Sequence, residues 1–421
     1  MVVVSTPEMA RQVLQVQDNI FSNRPTNIAV RYLTYYRSRM VFAHYGPFWR
    51  QMRKIFVTKV DSVIRTVAGK AGSPVDVGEL ALSLMTNITY RAAFGSDIRE
   101  GQEKFVDIIQ ELSRHFGAFN LGDFIPWLGR VDLQGFSKRL ARARRSLDEF
   151  IDRIIDAHLA KRKNRANETE EDNDMVDDLL SFYDEDAKNG ESEDLQGSIN
   201  LIRDNIKAII MLHEDVMFGG TETIASVIEW AMAEMIRSPA DLSRVQQELV
   251  DVVGVDRRVQ DSDFEKLTFL RRAIKETLRL QPPVPLLQHE TADDADIGGY
   301  AIPKQAQVVV NAWAINRDPE AWDEPETFKP SRFLKEGAPD FKGSNFEFIP
   351  FCSGWRSCPG MQLALYTLEL AVAHLLHCFT WDLPDGMKLS ELDMNDVFGL
   401  TLPRAERLVA IPTPSLQFPL F

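Results

Sequence analysis

Cysteine is scarce: the 421 residues hold three, Cys352, Cys358 and Cys378. Three thiols do not make the disulfide framework of a secreted fold, and their spacing is not that of a zinc site. Long apolar runs are missing too. None approaches the ~20 residues needed to span a bilayer, and the opening Met-Val-Val-Val-Ser turns polar too soon for a signal peptide. Basic residues are in deficit, 48 against 62 acidic, and the net charge of −14 argues against a nucleic-acid partner. His213-Glu214 lacks the second histidine that a zinc-protease helix requires. Apolar residues, by contrast, make up 44% of the chain, which is ample for a sizeable core.

One string near the C-terminal end concentrates the chemistry: Phe351-Cys352-Ser353-Gly354-Trp355-Arg356-Ser357-Cys358-Pro359-Gly360. Apolar residues at helical spacing follow from Met361 to Val372. The expectation is a tight loop feeding a helix. Cys358 takes the N-cap and Pro359 the first helical position, where proline loses no needed donor. Unpaired N–H groups and the positive end of the helix dipole then favour the thiolate. A thiolate so held is an effective axial ligand for haem iron, because it pushes electron density onto the metal. A lone Cys before Pro-Gly is more often a buried thiol in a turn. The full pattern F-x-x-G-x-R-x-C-x-G is more specific, and it resembles the haem-binding loop of the cytochrome P-450 family.

Three weaker motifs stand upstream in the order that this family has them. In residues 45–54, Trp49 and Arg53 lie four apart, hence on one helix face. Alone they describe a surface helix with a basic side. Residues 201–235 read as a long apolar helix containing Phe218-Gly219-Gly220-Thr221-Glu222-Thr223. Two glycines inside a helix cost ~1 kcal/mol each against alanine, so either a helix crossing or a groove must explain them. Lys275-Glu276-Thr277-Leu278-Arg279 puts Glu276 and Arg279 on one face, and Pro330-Ser331-Arg332-Phe333 adds a second arginine. A buried carboxylate needs such partners. Together with the cysteine loop these motifs span nearly the whole chain.

The resemblance implies a mainly α fold, the cytochrome P-450 fold with a small β region, as one domain over residues 1–421. The family's N-terminal membrane anchor is lacking, and the N-terminus is expected to be incomplete. Cys358 is the implied iron ligand. Trp49, Arg53, His289 and Arg356 are the implied propionate partners, and Phe351, Gly354 and Gly360 shape the cofactor loop. Thr223 and Glu222 are the implied proton relay, a general-acid task. The implied cofactors are haem b and NADPH, the latter acting through a reductase, with dioxygen as co-substrate. Residues 206–234, 275–290 and 342–391 are further similar to the plant ferulate/coniferaldehyde 5-hydroxylases. Those enzymes hydroxylate the aromatic ring of guaiacyl phenylpropanoids (ferulate, coniferaldehyde, coniferyl alcohol) on the way to syringyl lignin. That implies the cytoplasmic face of the endoplasmic reticulum membrane.

Several places depart from the family pattern. About one helix is missing between Val60 and Pro74. Leu212-His213-Glu214 adds a triplet, which must rotate the helix start or be absorbed in a bulge, because three residues are not a whole turn. Cys352 and Trp355 stand where a glycine and a cation are usual, and Cys352 is strained if its φ is positive. Two other readings stay open. One is a haem-thiolate enzyme that rearranges hydroperoxides, which the intact Gly220-Thr221-Glu222-Thr223 string disfavours. The other is a shortened, non-catalytic chain that cannot retain haem.

Overall fold

Helices dominate, as the resemblance implies. A computed structural model describes residues 1–21, 63–94, 134–164, 203–341, 344–397 and 399–416, with single positions between 107 and 180. The chain divides into two units. One joins Met1–Pro25, Phe56–Met85 and Glu222–Phe421; the other joins Thr26–Ile55 and Thr86–Thr221.

Local chemistry sets the first helix. Thr6 is extended and its Oγ1 accepts the Met9 N–H at 3.4 Å, with Pro7 just inside α1 (Pro7–Arg11). A π-helical turn, Gln12–Val16, leads to α2 (Asp18–Phe21). The long helices α3 (Val77–Phe94), α4 (Phe136–Asn164) and α5 (Arg203–Arg237) follow. Helix α5 stays α-helical through His213-Glu214 and through both glycines. The bulge considered for the extra triplet is therefore absent. Next come α6 (Pro239–Val253), α7 (Thr268–Leu280), the short α8 (Ala312–Ile315) and α9 (Met361–Cys378).

The β region is small, as expected. Strands β1 (Val2–Val4), β3 (Leu286–Glu290) and β6 (Gln307–Asn311) form a sheet in the order β1-β6-β3. Val2 lies opposite Val308 in parallel, and His289 opposite Val308 in antiparallel. Strand β3 opens only at Leu286, after Pro282, Pro283 and Pro285, because a proline cannot donate to a ladder. The hairpin of β4 (Ala295–Ile297) and β5 (Tyr300–Ile302) turns on Gly298 and Gly299, both at positive φ. A second sheet orders β2 (Val75–Asp76), β8 (Val409–Pro414) and β7 (Phe379–Asp382). Val4, Leu14, Phe21, Leu287, Val308, Val310, Ile349 and Cys352 share one buried apolar cluster. The cysteine loop is thus packed onto the first sheet and the first helices.

Candidate active site

The loop ahead of α9 is closed by its own backbone. Cys358 N–H donates to Phe351 O at 2.9 Å, Cys352 N–H to Ile349 O at 3.1 Å and Ser357 N–H to Gly354 O at 3.1 Å. Two residues take the left-handed backbone, Cys352 at φ 61° and Gly354 at φ 69°. The strain foreseen at Cys352 is therefore present; a Gly there would carry none. Phe351 is buried, edge-on to Phe341 with centroids 5.7 Å apart.

The expected capping is displaced. Helix α9 starts at Met361 with Gly360 as its N-cap, two residues beyond Cys358. Cys358 therefore gains less from the helix end than expected. Burial pushes the thiol pKa up, and a hydrogen bond from the Gly360 backbone only partly opposes this. The direction is opposite to the thiolate that the helix end was expected to favour. The same residue is exposed by accessible surface. A group that loses hydration yet keeps open surface lies in a concavity walled by protein. Binding to a metal would deprotonate it outright.

Between α7 and the segment Pro330–Leu334 a charge network is fully enclosed. The Glu276 carboxylate accepts from Arg279 Nε and Nη2 and from Arg332 Nε, each at 2.9 Å, and from the Lys329 N–H at 2.9 Å. Arg279 and Arg332 spend their remaining donors on carbonyls of Asn316, Pro325, Thr327, Asp323 and Glu324. Every charge is paired, which is the condition for burying it. The Glu276–Arg279 pair is the one their spacing predicts, and Arg332 joins it as the resemblance implies.

His289 is placed differently from the expectation. It is buried on β3, with Nδ1 2.9 Å from Phe21 O and Nε2 3.9 Å from Cys352 Sγ. Both ring nitrogens already face protein groups, so the propionate role is not the one this geometry gives it. Arg356 lies half-buried two residues before Cys358 and has no ion-pair partner among the described residues. Its guanidinium is free for a carboxylate, which its planar fork suits. Trp355 is 71% exposed. Trp49 and Arg53 lie outside the described residues.

On α5, Thr221 Oγ1 is 2.9 Å from Thr89 Oγ1, so that hydroxyl points away from open space. At Gly219 an added Cβ would meet nothing within 4 Å. The missing side chain thus leaves a notch mid-helix, where Gly219 is itself exposed. Glu222 and Thr223 follow, both half-buried. Further along, Ser226 Oγ and Trp230 Nε1 both donate to Leu402 O, at 3.0 and 2.8 Å. Glu229 accepts from Arg407 Nη1 at 2.9 Å and from the Leu408 N–H at 2.8 Å, with Arg404 Nε at 3.9 Å. Sequence reasoning missed this second buried network. Its signal was Glu229 itself, one of two carboxylates, with Glu234, inside the apolar run from Ile224 to Ile236.

The residues present fit a haem. A bared but desolvated thiol, a backbone N–H beside its sulfur and, two residues away, a guanidinium with no ion-pair partner among the described residues are features such a group needs. Among the described residues no other cluster could hold a metal ion.

Comparison with known proteins agrees. The family model described as Cytochrome P450 matches residues 1–409. The chain is 62% identical to Cytochrome P450 84A1 of Arabidopsis thaliana, over 99% of this chain and 83% of that protein. It is 54% identical to Cytochrome P450 84A4 of the same plant, over 99% and 84%. Among solved structures, a zebra fish cytochrome P450 with abiraterone superposes with a TM-score of 0.73 at 26% identity, covering 98% of this chain and 92% of that one.

Proposed function

The chain belongs to the cytochrome P450 family and is a monooxygenase, and from that premise we propose that it hydroxylates the aromatic ring of guaiacyl phenylpropanoids, with Cys358 as the haem ligand. The observation that carries the ligand assignment is the Cys358 thiol, open at its surface yet desolvated, with the Gly360 N–H on its sulfur. The substrate class rests on the similarity of residues 206–234, 275–290 and 342–391 to the plant ferulate/coniferaldehyde 5-hydroxylases.

When bound, the haem supplies the activation of dioxygen, with two electrons from a reductase; one oxygen atom enters the substrate and the other leaves as water. That balance consumes two protons. Thr223 and Glu222 are the groups proposed to deliver them, an alcohol and an acid in adjacent positions beside the notch. Arg356 holds a propionate as a charge-assisted pair. Glu276, Arg279 and Arg332 touch no substrate and tie α7 to the segment Pro330–Leu334. In this reading the enzyme works beside its NADPH-dependent reductase at the cytoplasmic face of the endoplasmic reticulum. Among the described residues no helix is long and apolar enough to cross a membrane.

The test has two stages. The reduced protein is first treated with carbon monoxide, and a thiolate-type Soret band is expected, lost in Cys358→Ala. Ferulate, coniferaldehyde and coniferyl alcohol are then each supplied with NADPH and reductase, and the ring-hydroxylated product is measured. A thiolate band surviving in Cys358→Ala overturns the ligand. A normal band with none of the three substrates hydroxylated overturns the substrate class.

A further inference from the structure

The cysteine loop is held from outside by one short stretch at the other end of the chain. Leu14 lies in the π-helical turn 12–16, and Asp18 and Phe21 are the two ends of α2, with a bend at Gln17 between them. Each presents an oxygen toward the loop. The carbonyl of Leu14 sits against Gly354 so closely that no Cβ could be added there. Asp18, 8% exposed, accepts the Trp355 N–H on Oδ2 at 2.6 Å, and that same oxygen lies 2.5 Å from the Cβ position of Gly354. The carbonyl of Phe21 reaches the loop through His289. A carbonyl can only accept, so Nδ1 of His289 carries the proton of the 2.9 Å bond. In the neutral ring Nε2 is then an acceptor, and the Cys352 thiol 3.9 Å away is its donor. Ser353 O, 3.6 Å from the same sulfur, competes for that proton.

We propose that the segment 12–21 is the seat of the thiolate loop, with Asp18 and the Cys352–His289 pair as positioning residues that fix where the Cys358 sulfur stands. The proposal rests on Cys358 being the ligand. It accounts for a side chain at a strained left-handed position: Cys352 contributes a donor that glycine lacks. It also accounts for a buried carboxylate directed at a backbone N–H of the loop.

The full-length holoprotein is studied as Asp18→Ala and Asp18→Asn, and as Cys352→Ala and Cys352→Ser. Two readouts are taken: amide hydrogen exchange over residues 350–360, and the thiolate-type fraction of the reduced carbon monoxide spectrum. Asp18→Ala removes the acceptor, so the Trp355 amide exchanges roughly tenfold faster and part of the spectrum leaves the thiolate form. Asp18→Asn keeps an acceptor oxygen and restores both. Cys352→Ser keeps a donor to His289 and retains the thiolate form, whereas Cys352→Ala lowers it. The serine–alanine pair decides the matter if Asp18→Ala does not fold. Unchanged exchange and spectrum in both alanine variants overturns the proposal, as does a lowered melting temperature with the thiolate fraction intact. A thiolate band that survives Cys358→Ala is a separate failure, of the ligand assignment, and leaves the exchange result to judge the seat.

Discussion

Gly354 has no room for a side chain. Its backbone is left-handed, and a Cβ would strike the Leu14 carbonyl and the Asp18 carboxylate. Relief requires moving backbone, not the tip of a flexible side chain. Gly354→Ala is expected to cost more than ~3 kcal/mol and to yield protein without a thiolate band; a melting temperature within a degree or two of wild type would refute this. At Thr223 the expectation concerns chemistry instead. Thr223→Ala should leave the carbon monoxide spectrum intact while NADPH consumption outruns product, since a relay hydroxyl is lost and the haem site is not. Full coupling in that variant would remove Thr223 from the relay. At this scale the sequence was most informative: glycine, arginine and cysteine in one ten-residue loop carry their meaning locally. What it misplaced depended on distant groups. His289 was read by position in a pattern, yet its partners, Phe21 and Cys352, lie 268 and 63 residues away.

Helices and strands were legible where period and caps agree. The long helix through Gly219-Gly220 and the helix after the cysteine loop both follow from apolar periodicity. The start of α9 was read two residues early, because a Cys-Pro-Gly turn can precede a helix as well as open it. Between elements, the Glu276 network ties α7 to the segment Pro330–Leu334. Its members are fully or nearly buried. Arg332→Ala removes one partner of an enclosed carboxylate and is expected to destabilise by about 3–5 kcal/mol. Thermal melting of the holoprotein measures it, and a loss below ~1 kcal/mol would contradict enclosure. The Glu229–Arg404–Arg407 group does comparable work between α5 and the chain that leads into β8. A sequence pattern offered no partner for Glu229, since its arginines lie more than 170 residues on.

For the molecule as a whole, buried titratable groups set how stability follows pH. Burial lowers the His374 pKa from 6.5 to about 3, and lowers that of His377 in the same direction. The unfolded chain binds a proton below about 6.5 that folded His374 refuses until about 3. Its stabilisation is thus present above 6.5 and is lost as pH falls through that window, by up to ~1.4 kcal/mol per pH unit. Glu234 and Glu369, raised by burial, act the other way. Their share is full below the ordinary carboxylate range and is lost as pH rises through their folded values. Between pH 7 and pH 5, wild type should lose roughly 2 kcal/mol more than His374→Gln, read from urea midpoints; equal losses would disprove the assignment. The parallel pairing of β1 with β6 carries a different consequence. Val308 and the loop at 351–358 leave the ribosome about 300 residues after Val2, some 15–60 s at ordinary translation rates. The cradle for the iron is therefore made well before its loop, and it waits, unpaired, for its occupant. Loading of the pigment is a late event, near or after release of the finished polypeptide.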